Sequence, residues 1–182
     1  MKNILLGVTG SVAVYKAAEL ANQLTKLGYN VDVVMTESAL KFVTPLTFQS
    51  LTKNKVYTDM FDEITPSEIK HISLAKKADV CIIAPASANI IGKMAGGISD
   101  DFLSTVVMAL RDKPIYIAPA MNTNMYENPI VQDNMEKLKR FGYRFIDPRE
   151  SMLACGDLGK GAMADVSEII DRVLGALGGE EG

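Results

Sequence analysis

The chain is 182 residues long, 48% apolar and 23% charged, with a formal net charge of −3, the profile of one globular domain with room for a sizeable core. That mildly acidic balance argues against a generic nucleic-acid surface, which needs clustered excess Lys and Arg. The two cysteines, Cys81 and Cys155, make no disulfide framework and no metal-ligand spacing.

The opening MKNILLGVTGS breaks its apolar run at Gly7, too short for a secretory or membrane-spanning segment, so NILLGV reads as a first strand and a soluble cytoplasmic protein is expected. SVAVYKAAELANQLTKLG follows as a helix: Val14, Ala17, Ala18, Ala21, Leu24 and Leu27 form one stripe, closed by Gly28. VDVVMT is the second strand, and ESALKFVTPLTFQSLTKNKV reads as helix broken at Pro45. PSEIKHISLAKKA is a helix with Pro66 near its start, DVCIIAPAS a strand, and NIIGKMAGG and DFLSTVVMALR are helical pieces. KPIYIAP, the helix NPIVQDNMEKLKRFG and the strand YRFID come next, then SMLACGDLGKGAMAD as a loop and DVSEIIDRVLGAL as the last helix. This β-α-β rhythm, with near-continuous Val/Ile/Leu strands, predicts an α/β fold whose parallel sheet is covered on both faces. Residues 1–177 read as one domain and 178–182 as a frayed tail. In such sheets ligands bind beyond the carboxyl ends of strands, where every motif of interest lies.

GVTGS, Gly7 to Ser11, joins the first strand to the first helix. Glycines let backbone approach a phosphate, and the helix start offers free N–H groups, with Ser11 as a hydroxyl donor and N-cap. Thr9 stands where a dinucleotide fingerprint needs glycine, and no GK[ST] closes a P-loop, so a mononucleotide phosphate is the better ligand; a tight turn without ligand is the plainer alternative. In APASANIIGKM the small Ala84, Ala86 and Ala88 leave room for a flat ring, while Ser87 and Asn89 can read its edge. Ser104 and Thr105 open a further helix that could add phosphate contacts. In APAMNTNMYENP, Asn122 sits at a strand end where its amide could hold a carboxylate, or simply close an Asx turn, with Met121 and Met125 as adaptable apolar surface. His71, the only histidine, shares a helix face with Leu74, Ala75 and Ala78, which fits a packed imidazole as well as a base. Cys81 reads as a small core hydrophobe; Cys155, among Gly156, Gly159 and Gly161, is a thiol on a flap or an inert one in a packed loop.

Taken together, GVTGS, the helical His71, PASAN, PAMNTNM and ACGDLGKGAM resemble, in order from Asn3 to about Leu174, the homo-oligomeric flavin-containing cysteine decarboxylases. The resemblance implies a flavodoxin-like Rossmann three-layer fold binding FMN at subunit contacts of a homotrimer, which can assemble into a dodecamer. It implies FMN contacts from Gly10, Ser11, Ser38, Phe42, Ala86, Ser87, Ala88, Asn89, Ser104, Thr105, Ala120 and Met121. By the same resemblance His71 is the active-site histidine, Asn122 grips the substrate carboxylate, and Cys155 is the acid of the reductive step, on a flap that includes Ala154, Gly156 and Met163. The flap points to the branch that decarboxylates 4′-phosphopantothenoylcysteine to 4′-phosphopantetheine in coenzyme A biosynthesis, with a separate phosphopantothenoylcysteine synthetase as a possible partner. Three positions depart from the family: Ile90 replaces a usual threonine, Tyr126 a common tryptophan, and Ala162 an arginine found before the flap methionine, leaving Lys160 as the cation at hand for the substrate phosphate. Peptidyl-cysteine decarboxylation and a non-catalytic regulatory role are the alternatives, the second expected to lack one of His71, Asn122 and Cys155. Flavin prenyl transfer conflicts with that trio, and an NAD-binding domain rests on Glu37 alone.

Overall fold

The computed structural model describes residues 1–61, 69–152 and 158–178. Strand β1 (Asn3–Val8) leads into α1 (Val14–Lys26) and β2 (Asn30–Met35); a 3-10 turn at Ala39–Lys41 precedes α2 (Pro45–Thr52) and the short β3 (Val56–Tyr57). Next come α3 (Lys70–Lys77), β4 (Val80–Ala86), α4 (Ala88–Gly96), α5 (Phe102–Ala109), β5 (Ile115–Pro119), α6 (Thr123–Tyr126), α7 (Pro129–Arg140) and β6 (Arg144–Phe145). The chain ends through β7 (Arg149–Met152), β8 (Leu158–Ala162) and α8 (Val166–Gly178).

Six strands form a parallel sheet in the order β3-β2-β1-β4-β5-β6. The order reverses between β1 and β4, where this class of sheet opens a ligand crevice. Alternation along each strand divides the core in two. Ile4, Leu6, Val8, Val33, Ile82 and Ala118 pack under α1 and α8, while Leu5, Val34, Cys81, Ile83 and Ile117 pack under α4, α5 and α7. This is the expected flavodoxin-like three-layer fold. Cys81 is fully buried, and burial pushes its thiol up, so it behaves as the core hydrophobe expected.

The element ends follow their local chemistry. Gly28, at φ 89°, ends α1: its N–H reaches the Thr25 carbonyl, and the Tyr29 N–H reaches that of Leu24. Gly142 ends α7 in the same way through Lys139 and Leu138. Pro45 starts α2 rather than interrupting a longer helix, because the first helical position lacks an N–H partner anyway. Val56, expected as the end of that broken helix, instead begins the edge strand β3. The part of the third helix expected before Lys70, with Pro66, lies outside the described residues, as do residues 179–182 of the expected tail.

The largest departure concerns the glycine-rich loop. Arg149–Met152 and Leu158–Ala162 pair antiparallel as a second, two-stranded sheet. Arg149 opposes Ala162 and Glu150 opposes Lys160, which leaves Gly161 as the extra residue of a bulge.

The start of α5 is held by charge as well as by hydrogen bonds. The Asp101 carboxylate accepts from the Ser104 N–H at 2.8 Å and from the Lys93 ammonium at 2.8 Å. Burial alone would raise the Asp101 carboxyl, but the hydrogen bonds from Lys93 and Ser104 outweigh it and hold it below the ordinary aspartate range. The folded value is depressed, so the stability it contributes is complete above the unfolded value and is lost as pH falls through the folded one. Replacing Asp101 with Ala should cost about 1 kcal/mol near neutral pH, typical of a lost N-cap. In thermal melts the gap between variant and wild type should narrow toward about pH 3, where carboxylates protonate.

Candidate active site

Beyond the carboxyl ends of β1, β4 and β5 lies a cavity of about 560 Å³, within the range of small-molecule sites. Its wall brings together Gly10 and Ser11 after β1, Ser87 and Ala88 after β4, Ala120, Met121 and Asn122 after β5, and Gly161, Ala162 and Met163 of the hairpin side. A larger hollow of about 1070 Å³ opens at the amino ends of β5 and β6, around Gly97, Pro114 and Tyr143, and is lined by none of the expected site residues. The smaller cavity is the site, because ligands of parallel sheets sit at the carboxyl ends.

A buried hydroxyl ties the two halves of this wall together. Thr9, 1% exposed, donates from Oγ1 to the Pro85 carbonyl at 2.6 Å, and the same Oγ1 accepts from the Ser87 N–H at 3.0 Å. The Thr9 N–H adds a 3.3 Å bond to the Pro85 carbonyl. The turn after β1 and the turn after β4 are thus fastened across the point of strand reversal. Ser87 caps α4 by accepting from the Ile90 N–H at 3.3 Å. Ser11 does not cap α1, whose N-cap is Ala13; its Oγ instead accepts from the Ala13 N–H at 3.2 Å inside the turn.

Under the wall, Ala86 and Ala120 are buried, and the Ala120 N–H bonds to the Ala86 carbonyl at 3.0 Å. Asn122 lines the cavity as the N-cap of α6, with Oδ1 accepting from the Asn124 N–H at 2.9 Å. The Asx turn and the cavity-facing amide are therefore the same residue. The hairpin is moored to this segment: the Met121 N–H donates to the Gly161 carbonyl at 3.0 Å. A Cβ at Gly161 would run into the Met121 carbonyl oxygen, so only glycine permits that approach.

Several expected positions stand elsewhere. Ser104 is 1% exposed, and its hydroxyl is committed to the backbone of Asp101. Thr105 Oγ1 donates to the Asp101 carbonyl at 2.7 Å. Both serve the start of α5, and neither lines the cavity. Phe42, 54% exposed, and Asn89 are also outside the wall, while Ser38 packs against Gly10, whose added Cβ would lie 2.5 Å from the Ser38 Cβ. His71 is half-buried on α3 above the buried Leu74, Ala75 and Ala78, and it does not line the cavity of its own chain. Ala154, Cys155 and Gly156 lie outside the described residues. Met163 is in place, buried at the cavity wall.

The wall residues without a sequence signal include two cations. Lys16 lies in the first turn of α1, and Arg149 begins β7. Lys160 does not line the cavity; its ammonium stands 5.7 Å from the centre of the Tyr126 ring.

A parallel α/β sheet with its crevice at the strand reversal, walled by a small-residue turn, defines a nucleotide-cofactor protein. The chain belongs to the flavoprotein family, whose profile matches residues 1–178. It is 53% identical over 173 residues to a probable phosphopantothenoylcysteine decarboxylase of Streptococcus mutans, covering 94% of this chain and 97% of that protein. It is 52% identical over 169 residues to the coenzyme A biosynthesis bifunctional protein CoaBC of Bacillus subtilis, covering 93% of this chain but 41% of that one. Among solved structures, a mutant PPC decarboxylase complexed with pantothenoylaminoethenethiol superposes with a TM-score of 0.86 and 35% identity, over 97% of this chain and 98% of that one. The FMN-dependent cysteine decarboxylase SpaF superposes at 0.85 with 31% identity, over 97% of each chain.

The wall fits a flavin on its own terms. Gly10, which packs against Ser38, and Ser11 line the cavity where a phosphate would sit, the alanines leave a shallow floor for a ring, and among the described residues no carboxylate lines it. Thr9→Val should cost about 1–3 kcal/mol, because the Pro85 carbonyl and Ser87 N–H lose a buried partner. Thr9→Ser should retain most of that stability. Denaturant midpoints of the three proteins decide the matter, and an unchanged midpoint in Thr9→Val would show that the hydroxyl does not fasten the turns.

Proposed function

We propose that this chain is an FMN-dependent decarboxylase that converts 4′-phosphopantothenoylcysteine to 4′-phosphopantetheine in coenzyme A biosynthesis. The observation that carries the reading is the cavity at the strand reversal, where the Gly10–Ser11 turn, the Ser87–Ala88 floor and Asn122 share one wall with Gly161, Ala162 and Met163. The probable phosphopantothenoylcysteine decarboxylase, matched at 53% identity over almost its full length, supports the substrate. The bifunctional relatives extend well beyond this match, and we take their remaining length to correspond to a separate synthetase that supplies the substrate.

A cysteine carboxylate does not lose carbon dioxide readily, because the electron pair left on its α-carbon has no acceptor. Bound FMN supplies a reversible two-electron oxidation of the neighbouring CH2–SH to C=S, which creates that acceptor without net redox change. Gly10, Ser11 and the start of α1 hold the flavin phosphate through backbone N–H groups and a hydroxyl. Ser38 packs behind that turn, and Ala86, Ser87, Ala88, Ala120 and Met121 hold the ring. The amide NH2 of Asn122 suits the substrate carboxylate and orients the bond to be broken. The Cys155 thiol, ordinarily protonated at neutral pH, delivers the closing proton to carbon. Met163 and the hairpin shield these steps from water.

His71 enters from a neighbouring copy. Val12, Tyr15 and Met125 at the cavity stand 59%, 62% and 50% exposed, an apolar rim that a second subunit would cover. A homotrimer supplies each cavity with a neighbour's histidine through one repeated contact, and a dodecamer would repeat the same contact. A cytoplasmic location belongs to this reading and rests on the sequence alone.

The test is complementation. His71→Asn and Cys155→Ser should each fail to form 4′-phosphopantetheine. Refolded together in equal amounts they should regain about a quarter of wild-type activity, the share of contacts that join two intact halves. A mixture as inactive as its parents would remove the shared site, and normal turnover by Cys155→Ser alone would remove that thiol from the mechanism.

A further inference from the structure

Gly161, Ala162 and Met163 form one side of the cavity wall. That side stands on the β7–β8 ribbon, and a two-stranded ribbon by itself is marginal. At its base the ribbon is well held. Arg149 pairs with Asp165 at 3.1 Å, and the Gly161 carbonyl accepts from the Met121 N–H at 3.0 Å. One and two residues back along β8 the hold differs in kind.

Gly159 sits so close to Thr123 that a Cβ would run into its side chain. The Thr123 hydroxyl is buried and bonds to no protein group, so it brings packing to this seat but no hydrogen bond. Lys160 supplies an attraction. Its ammonium stands 5.7 Å from the centre of the Tyr126 ring, within cation–π range. Glu150 is its cross-strand partner, yet among the described residues Lys160 makes no ion pair. Tyr126 is a fixed post for that cation. It is buried, its N–H donates to the Asn122 carbonyl at 2.9 Å, and its own carbonyl accepts from Gln132 Nε2 at 2.5 Å. The ring that meets the Lys160 ammonium is therefore tied through its backbone to Asn122, which lines the cavity.

The proposed reaction makes this contact matter. Two electrons leave the substrate CH2–SH group, loss of carbon dioxide leaves an enethiol, and the two electrons return only afterwards. Between those events the cavity wall alone retains the intermediate. An enethiol that escapes leaves its two electrons on the bound flavin, and dioxygen takes them up with two protons to give hydrogen peroxide.

We propose that Lys160 and Tyr126 are positioning residues whose contact latches β8 onto α6 and keeps the Gly161–Met163 wall in place until the enethiol is reduced. This rests on the functional reading given above. The latch acts through the wall and touches neither substrate nor flavin.

Holoenzymes of wild type, Lys160→Met, Lys160→Arg and Tyr126→Leu are compared in two ways. Hydrogen exchange at the Met121 amide reports lifting of the wall, and product analysis in air reports escape of the enethiol. Lys160→Met should speed the exchange about two- to fivefold, the range of an exposed cation–π contact. It should raise the ratio of enethiol and peroxide to 4′-phosphopantetheine by a similar factor. Lys160→Arg should restore both values. Tyr126→Leu should match Lys160→Met, and combining the two should add nothing. Because Tyr126 is buried, Lys160→Met decides if Tyr126→Leu does not fold. Equal exchange in wild type and Lys160→Met would overturn the latch. Faster exchange with an unchanged product ratio would overturn the positioning role. A raised KM with an unchanged ratio would do the same, by giving Lys160 to the substrate. Failure of wild type to form 4′-phosphopantetheine would overturn the functional reading and the positioning role with it, while the exchange comparison still decides the contact.

Discussion

One buried hydroxyl holds the arrangement together. A parallel sheet that reverses its strand order leaves a gap beyond the carboxyl ends of β1 and β4, and the turns bordering that gap have no ladder to align them. Thr9 bridges the gap with three hydrogen bonds to the Pro85–Ser87 backbone. Buried polar groups are costly unless paired, so this bridge admits few other arrangements of the two turns. The turn after β1 and the turn after β4 thereby become one surface.

The hairpin uses a different device for the same end. A two-stranded ribbon by itself is marginal, and β7–β8 gains its support by docking on the segment after β5. The bulge at Gly161 turns a carbonyl out of the ribbon toward the Met121 N–H, and the missing side chain admits the Met121 oxygen. Gly159 does likewise against Thr123, where a Cβ would meet the hydroxyl. Gly159 and Gly161 are thus anchored on either side of Asn122, against Thr123 and Met121. The same bulge sets the register that places Arg149 opposite Ala162.

Much of this was legible in the sequence because it rests on local pattern. Continuous apolar strands, glycine-closed helices and the order of GVTGS, PASAN and PAMN expose the layers and the crevice directly. The hairpin was not legible: SMLACGDLGKGAM lacks the apolar alternation of a half-buried strand, since its pairing depends on backbone docking. Thr9 was visible only as a glycine that was missing, because its role appears once β4 lies beside β1. Arg149 and Lys16 carried no motif; a cross-strand pair and a helix turn from another part of the chain bring them together. Ser104 and Thr105 carried the right groups for phosphate, yet their hydroxyls are taken by the Asp101 backbone. His71 was marked by being alone of its kind, and it does not line the cavity of its own chain.

The most direct measurement is a competition. The yellow holoenzyme is incubated with equal amounts of 4′-phosphopantothenoylcysteine and a peptide ending in cysteine, and both are followed by mass spectrometry for loss of carbon dioxide. Conversion of the first compound to 4′-phosphopantetheine, with the peptide left intact, is the expected result. Preferential decarboxylation of the peptide, or a colourless protein that converts neither, would contradict the account.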